Sequence, residues 1–261
     1  MSIRNFVKAA TSSAIWEYLR RKKRIFRIGD YLMSTPMDSF VILDREIKYG
    51  EEGTKARFID GEQYYSQIYQ DYVLDRLIFH GKTGGFFLDI GGNNPVSMNN
   101  TYFFERNRGW TGLAFEPVPT QRGKWASSRK TECLPFALGS AEGEMEFCEY
   151  DSSDRSGFSE TVKYEGSVKA SYKVPVRRLA DILDERGIRH VDFVSLDVEG
   201  AELDVLKGID FSRVDIDCFV IENFRGLSQE RRIRKFMMEA GYKIKARLWL
   251  DEIWIKNEPA D

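Results

Sequence analysis

The sequence predicts an α/β fold: a doubly wound, mostly parallel seven-stranded sheet whose last strand runs antiparallel, preceded by an N-terminal extension. Three observations point there. Strand-like and helix-like segments alternate from residue 86 to residue 240, the pattern of βα units that build a parallel sheet. Apolar runs such as residues 86–90 stop abruptly at turn-forming Gly, as strands buried on both faces do. The chain closes with a strand-like run over 242–250, a turn at Asp251 and a second run over 253–255, a β-hairpin where a dinucleotide-binding fold ends in a parallel strand.

Taken in order, residues 1–61 are weakly patterned and read as a basic helix and a cap, with the main domain at 62–261. Ile15, Trp16 and Leu19 recur at helical spacing before the basic run 20–24, and strand-like pieces follow near 40–43 and 56–59. Apolar positions Tyr65, Ile68, Tyr69, Tyr72, Val73, Leu77 and Ile78 predict a helix over 63–79, with Gly81 as its stop. Strand 86–90, a helix at 101–107 stopped by Gly109, strand 112–116, a helix at 120–128 and strand 132–138 form the first half. Short strands at 145–150 and 172–176 flank a polar, Ser-rich loop, and a helix beginning at Leu179 stops at Gly187. Strand 191–197, a helix at 201–209 and a strand at 216–221 ending in Glu222-Asn223 follow. Ser228 is placed to cap a helix that turns Ile233, Phe236, Met237 and Ala240 inward.

At 261 residues the chain suits one large domain with a buried core. No apolar run approaches the roughly 20 residues a membrane-spanning helix needs. Cys133, Cys148 and Cys218 lack metal or disulfide spacing, and residues 1–10 lack a secretory apolar core. Cytoplasmic residence is the expectation. The net charge of -2 hides an asymmetry: Arg4, Lys8, Arg20, Arg21, Lys22, Lys23, Arg24 and Arg27 face Glu17 alone in the first 27 residues. That basic segment reads either as a peripheral contact with the anionic inner face of a membrane or as a solvated helix or a subunit contact in a homo-oligomer. The acidic remainder argues against nucleic acid as a partner.

The chemistry concentrates in Phe86-Phe87-Leu88-Asp89-Ile90-Gly91-Gly92-Asn93-Asn94. Gly91 and Gly92 let backbone amides approach a ligand. Asn93-Asn94-Pro95 replaces the third glycine of the dinucleotide fingerprint, and no phosphate-binding GxxxxGK[ST] run exists. Asp89 inside the turn would repel a pyrophosphate and suits the cationic methionyl end of S-adenosylmethionine. Glu116, 27 residues further on and followed by Pro117, sits near the offset at which a carboxylate takes a ribose diol.

Ligands of open parallel sheets bind beyond the carboxyl ends of the strands, where Asp89, Glu116, Asp197 and Glu222 all fall. With the first two assigned to the cofactor, Asp197, Glu199, Glu222 and Asn223 remain to handle a methyl acceptor. His190 precedes its strand and His80 closes a helix, so no histidine base serves that edge. A divalent cation on Asp197, Glu222 and Asn223 is an alternative means of polarising an acceptor hydroxyl.

Several ordered segments resemble the FkbM family of S-adenosylmethionine-dependent methyltransferases: Phe87-Leu88-Asp89-Ile90-Gly91-Gly92-Asn93, Asn100-Thr101-Tyr102, Gly109-Trp110-Thr111-Gly112, Phe115-Glu116-Pro117, and residues 191–206. Upstream, Ser66-Gln67-Ile68-Tyr69-Gln70-Asp71 resembles that family's Ser-Gln-x-x-Gln/Glu-Asp motif. The resemblance covers about residues 62–257 and implies a Rossmann-like class I methyltransferase fold. It implies O-methylation, commonly of a sugar hydroxyl on a glycan or natural product, with Gln67 and Asp71 closing over the cofactor pocket. The cofactor set expected on these grounds is Gln67, Asp71, Asp89, Gly91, Asn93, Glu116, Pro117 and Ala137, and the acceptor is a glycan or small molecule. A non-catalytic module that holds a nucleoside or a partner protein is the competing reading.

Overall fold

The computed structural model describes residues 24–28, 31–35, 40–43, 57–59, 61–150, 157–158, 168–223, 226–248 and 250–257. The basic helix expected within the first 23 residues and most of the Ser-rich loop lie outside them. In chain order, β1 (Arg24–Ile28), β2 (Tyr31–Thr35) and β3 (Phe40–Leu43) precede the antiparallel pair β4 (Arg57–Ile59) and β5 (Glu62–Tyr64). Helix α1 (Gln70–Val73) runs into a π-helical turn (Leu74–Ile78) before β6 (Phe86–Ile90). Then come α2 (Tyr102–Arg108), β7 (Thr111–Phe115), α3 (Pro119–Ser128) and β8 (Glu132–Leu134). A smaller sheet holds β9 (Ala137–Leu138), β10 (Gly143–Tyr150), β11 (Gly157–Phe158) and β12 (Val168–Arg177). The chain finishes with α4 (Leu179–Glu185), β13 (His190–Leu196), α5 (Glu202–Lys207), β14 (Asp215–Glu222), α6 (Leu227–Glu239), β15 (Tyr242–Leu248) and β16 (Asp251–Lys256).

The main sheet has ten strands in the order β1-β2-β3-β15-β16-β14-β13-β6-β7-β8. Neighbours from β14 to β8 are parallel, and β16 runs antiparallel to β14 and β15 on either side. This is the doubly wound sheet with an antiparallel last strand that the alternation and the closing hairpin predict. The order reverses between β13 and β6, so the crevice lies beyond the carboxyl ends of those strands. Beyond the seven strands expected, β1 to β3 extend the sheet, with β3 parallel to β15.

Successive residues of the central strands feed opposite cores. Phe87, Phe193 and Val220 join Phe103, Phe104 and Trp110 on one face, while Leu88, Val194 and Ile221 join Leu179, Leu206 and Met237 on the other. Side chains alternate across a strand, so a strand covered on both faces reads as a continuous apolar run.

Three local expectations are corrected. The helix predicted over 63–79 begins only at Gln70, because Asp71 gathers the preceding residues into a turn: its carboxylate accepts from the Tyr65 and Ser66 amides and the Ser66 hydroxyl. Tyr69 there has φ +62°, which no helix propagates. The strand predicted over 132–138 is two strands in two sheets, divided at Pro135, which offers no amide to a ladder. Ser228 is not a cap: it lies inside α6, whose first position follows Gly226 without a side-chain bond. The three cysteines are free thiols, Cys148 and Cys218 buried and Cys133 partly so. No helix among the described residues is long and apolar enough to cross a membrane.

Candidate active site

The loop after β6 is held by hydrogen bonds to its neighbours on both sides. The Gly91 amide donates to the Phe115 carbonyl at the end of β7 (3.0 Å), and the Asp197 amide, just past β13, donates to the Ile90 carbonyl (3.0 Å). Gly91 has φ +83°, and a Cβ there would overlap the Asp197 carbonyl oxygen and stand 2.8 Å from its carbon. A Cβ on Gly92 would meet the Trp125 ring at 2.5 Å and Asp89 Oδ1 at 2.8 Å. Both glycines are thus required by close approach, and the loops after β6 and β13 share one surface.

Asp89 is drawn inward. Its Oδ2 accepts from Asn99 Nδ2 (2.9 Å) and Thr101 Oγ1 (2.6 Å), and it is 3% exposed. Burial pushes its pKa up, against Thr101, the Arg129 charge and Asn99. Arg129, whose side chain is fully buried, pairs with Glu105 (2.9 Å) and donates to the Pro95 carbonyl (2.8 Å), Asn99 Oδ1 (3.2 Å) and Thr101 Oγ1 (3.1 Å). Its guanidinium lies over the Trp125 ring. One buried cation therefore fastens the segment from Pro95 to Thr101 and faces Asp89.

Glu116 is also buried, with one backbone amide on each oxygen: Asn93 to Oε2 (2.9 Å) and Val118 to Oε1 (2.8 Å). Burial raises its pKa to about 7. Each oxygen keeps a lone pair for a hydroxyl. Pro117 and Ala137 are buried, and Val118 packs with Ala137 in the apolar cluster under the smaller sheet. Asn93 Oδ1, which the glycine loop carries next to Glu116, is buried with no partner among the described residues, as are Gln121 Oε1 and Tyr172 Oη. Unpaired buried acceptors and donors of this kind suit a ligand rich in amino, hydroxyl and ring-nitrogen groups. The residues present therefore fit an uncharged nucleoside bearing a diol.

Asp71 and Gln67 fare differently. Asp71 is enclosed, its oxygens spent on its own turn, and Gln67 is half-buried. The residue of that motif that reaches the edge is Gln70, whose Nε2 donates to Asp251 Oδ2 on β16.

At the other half of the edge, oxygens of Asp197, Glu199 and Glu222 lie within 4.8 Å of one another. Glu199 has φ +56°, an uncommon conformation for a non-glycine residue and a frequent companion of function. Asn223 does not join them: its Nδ2 donates to Glu252 Oε2 (3.0 Å) and its amide to the Leu250 carbonyl (2.8 Å), because neighbours along a strand point to opposite faces. Asp251 and Glu202 stand behind the trio. Burial lifts both to about 7, and burial together with Asp197, Asp251 and Glu202 lifts Glu222 far higher, with an Asp197 hydrogen bond acting in the same direction. The charged form of Glu222 is thus disfavoured both by burial and by its acidic neighbours, and a hydrogen bond links it to Asp197.

These raised values set the sign of the pH response. Between about pH 4.5 and 7 the folded chain binds more protons than the unfolded one at Glu116, Glu202 and Asp251, so stability falls as pH rises through that window. The ligand-free protein should melt several degrees higher at pH 5.5 than at pH 8 by differential scanning calorimetry. A flat or opposite trend would contradict the burial of these carboxyls.

Sequence reasoning missed Arg129, Gln70, Glu202, Asp251 and Tyr172. Arg129 follows a helix with no motif around it, and Gln70 meets Asp251 across 181 residues, a pairing no local pattern signals. Asn99 and Thr101 carried a signal, in the polar run before α2.

A model of the methyltransferase FkbM domain matches residues 89–244, more than half of the chain. Methyltransferase sdnD of Sordaria araneosa is 24% identical over 237 residues, covering 77% of this chain and 87% of that protein. Methyltransferase 1 of Beauveria bassiana is 26% identical over 190 residues, covering 64% and 75%. The solved FkbM methyltransferase of Methylobacillus flagellatus superimposes with TM-score 0.47 at 13% identity over 73% of this chain and 48% of that one. The chain thus spans about half the length of that solved protein.

Proposed function

Because the chain belongs to the FkbM methyltransferase family, we propose that it is an S-adenosylmethionine-dependent O-methyltransferase acting on a sugar hydroxyl of a glycan or glycosylated natural product. The observation that carries this is the shared wall between the Asp89–Asn93 loop and Asp197, where Gly91 packs on the Asp197 backbone. A cofactor on the first loop and an acceptor at Asp197 are then neighbours.

S-adenosylmethionine supplies an electrophilic methyl group on a sulfonium. Glu116 would take the ribose hydroxyls, and the loop from Gly91 to Asn93 would receive the rest along its backbone, with Asp89 shaping that loop from beneath. Asp197, exposed at the strand end, would accept the proton of the acceptor hydroxyl as that oxygen gains the methyl group, the carbon–sulfur bond breaking to leave S-adenosylhomocysteine. Glu222, hydrogen-bonded to Asp197, would fix its orientation. The enzyme's contribution is chiefly position and exclusion of water.

Isothermal titration with S-adenosylmethionine, followed by an acceptor screen over glycans, tests the reading. Asp197→Asn should keep cofactor affinity and lose about 100-fold or more in turnover. Cofactor binding with no transfer to any acceptor would favour the non-catalytic module instead.

The trio Asp197, Glu199 and Glu222 supports a second reading, since three carboxylates are a donor set for a hard divalent cation. Such an ion would polarise the acceptor hydroxyl. Turnover restored by Mg²⁺ after exhaustive chelation would establish it, and turnover indifferent to chelation would remove it.

A further inference from the structure

The smaller sheet leans over the carboxyl edge of the main one. Strand β12 presents Tyr172, Val174 and Val176 on one face, and β10 pairs Phe147 opposite Tyr172 and Met145 opposite Val174. That face packs on Val118, just after Glu116, on Ala137, and on Val198 and Ala201 of the loop after β13. One apolar surface therefore reaches from the glycine-loop half of the site to the Asp197 half.

Within that surface one polar atom is out of place. The Tyr172 hydroxyl is shielded from solvent and has no hydrogen-bond partner among the described residues. Its ring rests 5.9 Å from Phe147. Burial, then Glu149, then Glu116 push the phenol up to about 12, against Arg122, so at neutral pH it is a donor. Glu149 is itself buried and engaged by Lys169 at 2.7 Å. Asn93 Oδ1 and Gln121 Oε1 are acceptors without a partner among the described residues, on the two segments that flank Glu116, and Gln121 is 4% exposed. A buried hydroxyl that pairs with nothing destabilises the empty protein, and native structures keep such atoms rarely.

We propose that Tyr172 is a cofactor-binding residue, its hydroxyl donating to the adenosine part of S-adenosylmethionine, and that the β10–β12 sheet is the outer wall of the nucleoside pocket. The chemistry is complementary: adenosine offers ring nitrogens and ribose oxygens to a phenol, and amino and hydroxyl hydrogens to Asn93 and Gln121. The inference rests on the methyltransferase reading above and deepens it.

The test is Tyr172→Phe, which removes the hydroxyl and keeps the ring packing on Phe147. Calorimetric titration of the full chain with S-adenosylmethionine and S-adenosylhomocysteine should show both ligands bound about fivefold to tenfold more weakly. The ligand-free variant should melt no lower than the parent, since it loses only an unpaired hydroxyl. Unchanged affinity in the variant overturns the assignment of Tyr172 while leaving the methyltransferase reading intact. A lower melting temperature with unchanged affinity overturns it too, by showing that the hydroxyl serves the fold. Absence of binding in the parent protein overturns both.

Discussion

Replacing Gly91 with Ala should abolish cofactor binding and cost about 2–5 kcal/mol of stability, combining a left-handed backbone penalty with forced overpacking. The position has φ +83°, and the added methyl would overlap the Asp197 carbonyl oxygen. Neither neighbour can yield cheaply, because the Gly91 amide is bonded to Phe115 and the Asp197 amide to Ile90. The methyl must push the glycine loop and the Asp197 loop apart, so the two halves of the site are damaged together. Urea unfolding and calorimetric titration read the two effects separately. A variant that unfolds like the parent and binds S-adenosylmethionine normally would contradict the packing described.

Arg129→Met should cost about 3–5 kcal/mol, because removing one partner of a buried ion pair leaves the other uncompensated. Methionine fills much of the volume over Trp125, so the loss belongs to the hydrogen bonds. Glu105 loses its cation, the Pro95 carbonyl and Asn99 lose donors, and Asp89 loses the facing charge. For a domain of this size the melting temperature should fall by roughly 10 °C. Cofactor affinity should drop as well, since the segment after the glycine turn is no longer fastened. Arg129→Lys should recover only part of either loss, because an ammonium cannot reproduce the planar fork that meets four acceptors. Full recovery by lysine would show that charge alone matters there.

The parts of the molecule that were legible from sequence are those that repeat a local rule. Buried parallel strands announce themselves as apolar runs, and Gly109 ends α2 with φ +65° as a helix stop should. The glycine turn after β6 and the acid ending β7 were legible because a backbone-lined loop and a buried carboxylate each leave a short, specific pattern. What escaped depended on hydrogen-bond partners that no motif names, whether near in the chain or far from it. Asp71 looked like a ligand-facing acid, yet its nearest donors were the amides of its own turn. Asn223 looked like a companion of Glu222, and strand alternation turned it toward Glu252 instead. Arg129 carried no pattern, because its value comes from Asp89, the segment 95–101, Glu105 and Trp125, which only the folded chain brings around it.

The far edge of the site has a temporal consequence. The strands β6, β7 and β8, with their loops, come from one continuous stretch, whereas Gln70 reaches Asp251 across 181 residues and β3 waits for β15. Contacts of such sequence separation form late, since the intervening loop must close before they give anything back. During synthesis the nucleoside-facing half can take shape while the partner strands of the other half are still being made. The carboxylate half of the site is thus the last part of the molecule to be completed, since Asp251 and β16 join it only at the end of the chain's synthesis.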